Sequence, residues 1–243
     1  MPVYEGTIFF HIFVRLNMTF PMKKIAIILS LTMILSSCVS IVRGGKTVKC
    51  GGDVVEKAMD FSDFTGITVE GAAHIDFIRS DEFNVTVSAN QEVFDYLDYQ
   101  LKGRDLVIAT KDHVNISATL YKVLVQTPFI RTINIEGAAE IHLPGGYRSE
   151  EELEIEIDGA GKLDFNGIEV PTLDLNINGA GEFDLNNIQV EKLEIDLKGA
   201  GRGTVSGTAD YAKLSVSGTA NIDASGLQCP NIEKHVEGLA VIK

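Results

Sequence analysis

Acidic side chains at a fixed spacing are the first residues of this sequence that invite chemistry. Asp164 and Asp184 are 20 residues apart, as are Asp174 and Glu194, and Glu154 precedes Asp174 by the same interval. If segments 20 residues apart lie side by side, these carboxylates form columns spaced by about 4.8 Å. Like charges that close repel by about 1 kcal/mol even in water. Bound cations relieve such repulsion, so Asp164, Asp184, Asp174 and Glu194 are candidate weak cation sites. Hydrated acids that keep a long β-surface soluble are the simpler reading. The Gly-Gly-x-Gly-x-Asp nonapeptide of calcium-binding β-rolls is absent.

His74 and His142 both follow Gly-Ala-Ala by a short interval and share an outward phase, which raises a metal pair. Three strand spacings between them would set the side chains about 14 Å apart, too far to share one zinc, and no metal is expected there. His113 and His235 have no partner at ligand spacing. No GxSxG, Walker loop, HExxH or CxxC occurs, so neither a catalytic apparatus nor a cofactor is expected. Three cysteines remain to be placed. Cys38 ends the run Leu35-Ser36-Ser37-Cys38 and is the expected lipid acceptor, while Cys50 and Cys229 either pair or stay free, with Cys229 as a small buried hydrophobe.

Charge narrows the partners. The formal net charge is −13, and the chain without residues 1–37 carries 18 basic against 33 acidic residues. Nucleic acid needs clustered Lys and Arg and is excluded as a partner, whereas cations, basic proteins or neutral glycans fit. The 45% hydrophobic content suits a folded protein, and 23 glycines with only 6 prolines suit many regularly spaced turns.

The first residues read as an address. Lys23 and Lys24 precede the apolar stretch Ile25–Leu35, which is too short to span a bilayer and ends at the lipid-acceptor cysteine. The order resembles a bacterial lipoprotein signal over 22–37, with residues 1–21 upstream of its start at Met22. The expected organisation is 1–37 as extension and signal, 38–59 as tether, 60–146 as an irregular β region and 147–243 as regular repeats. Cys38 would then hold the protein to a membrane of the cell envelope, with the outer membrane expected.

The repeats are what would position the acids. LEIEIDGAGKLDFNGIEVPT from Leu153, LDLNINGAGEFDLNNIQVEK from Leu173 and LEIDLKGAGRGTVSGTAD from Leu193 align with a 20-residue period. The Gly-Ala-Gly marker places structural turns at Gly159 and Gly161, Gly179 and Gly181, and Gly199 and Gly201, with earlier copies at Gly71 and Gly137. Leu153, Ile155 and Ile157 alternate with Glu154, Glu156 and Asp158, the pattern of a strand with one buried face. In the next repeat Leu175, Ile177, Phe183 and Leu185 should face the core. Ala160, Ala180 and Ala200 should point into a tight bend. The expected fold is all-β, a right-handed parallel β-helix (a solenoid) with about 20 residues per rung. A short N-capped helix near 91–97 would cap it, turning Val93, Phe94 and Leu97 inward. The aromatics Phe94, Tyr96, Tyr99 and Tyr121 of this segment serve either cap packing or partner binding.

Phe64-Thr65-Gly66-Ile67-Thr68-Val69-Glu70-Gly71, the strand Leu106-Val107-Ile108 and the downstream Gly-Ala-Gly and Ser-Gly-Thr-Ala markers resemble the head GIN domain family over residues 60–243. That family is common among lipoproteins of Bacteroidota, and its adhesin label is itself inferred. The resemblance implies an exported β-helix without catalytic residues. Arg202-Gly203 departs from the rhythm, because a core Leu or Phe belongs there. The function expected is non-enzymatic binding of an unknown protein or glycan, with a polysaccharide-acting enzyme and a structural scaffold as the alternatives.

Overall fold

The computed structural model describes residues 46–111 and 114–243. The described residues are almost entirely strands and the loops that join them, with a 3-10 turn at Gln91–Asp95. Its strands are β1 (Thr47–Lys49), β2 (Val54–Met59), β3 (Gly66–Arg79), β4 (Asn84–Asn90), β5 (Leu97–Lys102), β6 (Asp105–Thr110) and β7 (Asn115–Ser117). They continue as β8 (Tyr121–Thr127), β9 (Thr132–Leu143), β10 (Tyr147–Arg148), β11 (Leu153–Asn166), β12 (Ile168–Gln228), β13 (Asn231–Gly238) and β14 (Val241–Ile242). The signal segment, Cys38 and His113 lie outside the described residues.

A right-handed parallel β-helix is not the architecture these strands adopt. Apart from the small parallel pair of β1 and β7, they form one mixed sheet: β4 runs antiparallel to both β2 and β8, and β5 runs antiparallel to β6. Parallel ladders join β3 to β9, β9 to β11, and β11 to the start of β12. The 66 residues from Gly71 to Gly137 are therefore not three further turns. Gly71 and Gly137 are direct register partners, and the intervening chain leaves to build antiparallel pairs, with β6 and β8 returning to the free side of β3. Alternation with period two looks the same in either strand direction, so the pattern did not reveal the reversal.

Where the 20-residue period is strict, it does set register. Leu153 pairs with Leu173, Gly159 with Gly179 and Phe165 with Leu185. Leu175, Ile177, Phe183 and Leu185 are buried, as their phase requires, whereas Asp174, Asn176 and Asp184 are only half exposed. A one-residue slip would turn this whole apolar set to water, which is why register is so firmly specified.

Two irregular positions have a packing reason. Gly203 is buried under the ring of Phe183, whose Cε2 and Cζ atoms occupy the place a Cβ would take. The missing core side chain of that repeat is thus supplied by the preceding one. Tyr147, in the segment between β9 and β11, is 1% exposed, and its hydroxyl donates to the Ile130 carbonyl at 2.6 Å while accepting the Ile130 N–H at 2.9 Å. Its ring meets Phe77 edge-on at 5.8 Å.

The expected capping helix is a five-residue 3-10 turn, Gln91–Asp95, and Asn90 does not cap it. Asn90 is buried and spends its side chain elsewhere. Its Nδ2 donates to the Gly52 carbonyl, and its Oδ1 accepts from the backbone N–H groups of Thr119 and Leu120. Val93 and Leu97 are buried as expected, although Leu97 already belongs to β5. Phe94, Tyr96, Tyr99 and Tyr121 pack partly buried against the core, and Lys57 Nζ lies 4.1 Å above the Phe94 ring. The Tyr99 and Tyr121 hydroxyls meet at 2.8 Å; burial pushes Tyr121 up to about 12 and Tyr99 well above the usual phenol range. Both therefore stay neutral.

Cys50 and Cys229 are free thiols. The buried one is Cys50 rather than Cys229, and burial, then the Glu92 and Asp95 carboxylates, raise its pKa. A thiol so placed is a poor nucleophile.

Candidate functional site

Adjacent strands in register multiply a single surface residue into a row. Because Gly-Ala-Ala of β3 and β9 aligns with Gly-Ala-Gly of β11 and β12, Ala72, Ala138, Ala160 and Ala180 form one row of methyl groups. The expectation that Ala160, Ala180 and Ala200 fill a tight inner bend is corrected: all three are exposed and form the floor of an open groove of about 880 Å³. Space is tight instead at the second glycine. A Cβ on Gly181 would lie 2.7 Å from Ile177 Cδ1, so a buried isoleucine excludes a side chain there.

One residue further along, the same register builds a border in which Glu140, Lys162, Glu182 and Arg202 alternate in charge, with His74 opposite Glu140 at its end. Lys162 donates to Glu140 at 2.6 Å, and Arg202 donates to Glu182 at 3.2 Å. The Lys162 ammonium holds Glu140 below the usual carboxylate range. Such exposed pairs contribute little stability individually, but they hold both signs of charge in fixed order beside the groove. Ile116, Ala118 and Tyr121 close the end of the groove near β3.

The acidic positions singled out by spacing divide between two faces. Asp164 and Asp184 are register partners, and each has found a donor group: His142 Nε2 lies 3.3 Å from Asp164, and the Thr204 hydroxyl donates to Asp184. Asp174 lies opposite Glu154, accepts from Asn176 at 3.0 Å and shares its neighbourhood with Glu194, which holds Lys192 at 2.9 Å. Gly71, Gly137, Gly159, Gly179 and Gly199 form one column of positive φ. Gly161, Gly181 and Gly201 line the groove.

Asp174 carries a pH signature. Burial first, and then the Glu194 carboxylate, raise its pKa above the ordinary 3.8. A raised folded value means that the native protein holds a proton the unfolded chain has released, so ionised Asp174 opposes folding above that value. Asp174→Asn is therefore expected to raise the urea midpoint near neutral pH and to lose the advantage below the unfolded carboxylate range, at about pH 3. A gain that persisted undiminished in acid would assign the effect to something other than charge.

His74 and His142 are not three strands apart. His74 is opposite Glu140 and His142 opposite Asp76, on the neighbouring strands β3 and β9. The spacing of Gly71 and Gly137 hid this, because the antiparallel excursion between them looks like ordinary repeats. Asp76 was not singled out by sequence at all, and Lys122, which binds it at 2.5 Å, comes from β8.

Residues 63–243 match the family described as putative auto-transporter adhesin, head GIN domain. The chain belongs to this family. Among solved structures, the head GIN chain is similar to a putative adhesin from Parabacteroides distasonis, with 24% identity, a TM-score of 0.71, and 80% of this chain and 84% of that one covered. It is also similar to a putative lipid binding protein from the same organism, at 20% identity and a TM-score of 0.68 over 81% and 98% of the two chains. A putative adhesin from Bacteroides fragilis aligns at 14% identity with a TM-score of 0.62, over 81% and 99%. These likenesses concern the fold. No curated protein matches the sequence.

Proposed function

We propose that this head GIN chain is a non-enzymatic binding protein of the cell envelope, tethered through a lipid on Cys38, and that it takes an extended polypeptide segment in the alanine-floored groove. The observation that carries the reading is the groove itself, an open trough with an apolar floor and a border of both charge signs. A shallow floor of methyl groups suits close approach of a backbone, and ordered charges set its direction. Among the described residues, Tyr121 is the one aromatic side chain that lines the groove, too little for a platform for sugar rings, and the sequence has no tryptophan. The adhesin description of the family supports the same class.

The test is a panel of fibronectin, laminin, collagen, a glycan array and phospholipid vesicles presented to the full chain, with and without calcium. Saturable binding to one matrix protein, lost in Ala180→Glu, is the expected result. Exposed Ala180 makes that variant benign for the core. Capture that survives Ala180→Glu removes the groove from the account; vesicle binding alone moves it to lipid, the ligand class of the putative lipid binding protein from Parabacteroides distasonis. Turnover of a polysaccharide would replace binding by catalysis. The tether is tested apart from this: Cys38→Ala should release the protein from the membrane fraction, and equal retention of both forms without an acyl group would remove the anchor.

A further inference from the structure

Where β3 and β9 run side by side, two imidazoles and one carboxylate leave the same face of the sheet. Asp76 and His142 are register partners, and His74 precedes Asp76 by two residues on its own strand. His74 Nε2 lies 3.6 Å from Asp76 Oδ1, and His142 Nδ1 lies 3.7 Å from the same oxygen. Among the described residues, Asp76 Oδ1 is the buried side-chain oxygen without a hydrogen-bond partner. Behind the rings stand two more carboxylates: His74 Nδ1 is 3.3 Å from Glu140 Oε2, and His142 Nε2 is 3.3 Å from Asp164 Oδ2.

We propose that His74, His142 and Asp76 bind one divalent metal ion of the zinc class, with Glu140 and Asp164 orienting the two rings. Ligands of one tetrahedral zinc, each at about 2.1 Å, stand about 3.4 Å from one another, close to both nitrogen-to-oxygen separations here. Each ring has one nitrogen toward the shared oxygen and the other toward a carboxylate able to accept its N–H. That second contact fixes the tautomer and makes the free nitrogen a better ligand. Two nitrogens and one oxygen select zinc over calcium or magnesium, which take oxygen ligands.

As the side chains stand, no three His, Cys, Asp or Glu among the described residues are placed to hold a metal ion, so the two rings must turn to form the site. Both rings are at the surface, 37% and 40% exposed, so turning them inward leaves the core untouched. Lys122 occupies Asp76 Oδ2 and leaves Oδ1 for the ion. A fourth position faces solvent beside the groove, since His74 and Glu140 also line it. The site does not depend on what the groove binds.

The experiment is a competition titration of the metal-stripped full chain with zinc chloride against a chromophoric chelator. One equivalent is expected to bind, at least tenfold more weakly in His142→Gln and in Asp76→Asn, and unchanged in His235→Gln, whose histidine lies on exposed β13. Far-ultraviolet circular dichroism verifies that each variant keeps its strands, and cobalt substitution should give the absorption of a four-coordinate nitrogen and oxygen site. Equal zinc affinity in wild type, His142→Gln and Asp76→Asn overturns the proposal, as does an absence of stoichiometric binding at micromolar zinc.

Discussion

Gly179→Ala should lower the unfolding free energy by about 3 kcal/mol or more, whereas the same change at Gly71 should cost only about 1–3 kcal/mol. Gly179 has φ +140°, a conformation that L side chains rarely adopt. An added Cβ would also fall on the carbonyl oxygen of Gly159 and lie 3.1 Å from its carbon. That atom is backbone held in a ladder on both sides, so it has nowhere to go. Gly71 shares the positive φ, at +119°, but the nearest atom to its Cβ would be Thr110 Oγ1 at 4.0 Å. Backbone strain is common to both sites, and the collision belongs to one. Urea denaturation of the two variants separates the terms, and equal losses would mean that stacking of the glycine column contributes nothing.

Phe183→Ala should cost about 3–5 kcal/mol, the range for deleting a buried aromatic side chain. The loss should lie at the upper end because the ring fills the space of two repeats, its own and that of Gly203. Gly203→Ala alone should also destabilise, by about 1–3 kcal/mol, since the new methyl group meets the ring. Combined with Phe183→Leu, which withdraws the ring, it should cost less than the sum of the single changes by about 0.5–3 kcal/mol. Additive losses in this double-mutant cycle would show that the two sites do not share one cavity.

Much of the core was legible because burial and alternation are local. Leu175, Ile177, Phe183 and Leu185 face inward because each belongs to an apolar set with period two, and the Gly-Ala-Gly marker fixes which residue lies beside which. Membership in the head GIN family rests on the same distributed markers. Strand direction was not legible. β4 and β5 alternate like any other strand, and their reversal against β8 and β6 depends on what each turn permits and on which edge of β3 remains open. That one error moved His142 three strands away from His74 and concealed the cluster around Asp76.

The groove was missed for a related reason. Alanine between two glycines reads equally well as a filler of a tight inner bend or as the floor of an outer trough, and only the side on which Ile177 packs decides between them. The row that begins at His74 and alternates in sign through Glu140, Lys162, Glu182 and Arg202 crosses five segments rather than following one, so no window of contiguous sequence contains it.

Amide hydrogen exchange of the full chain, alone and saturated with the matrix protein it binds most tightly in the panel, tests the groove as the binding face most directly. Protection is predicted to rise at Gly159–Lys162, Gly179–Glu182 and Gly199–Arg202 together, with the strand around Asp174 and Glu194 unchanged. New protection centred on Asp174 and Glu194, with none along the three Gly-Ala-Gly segments, would contradict it.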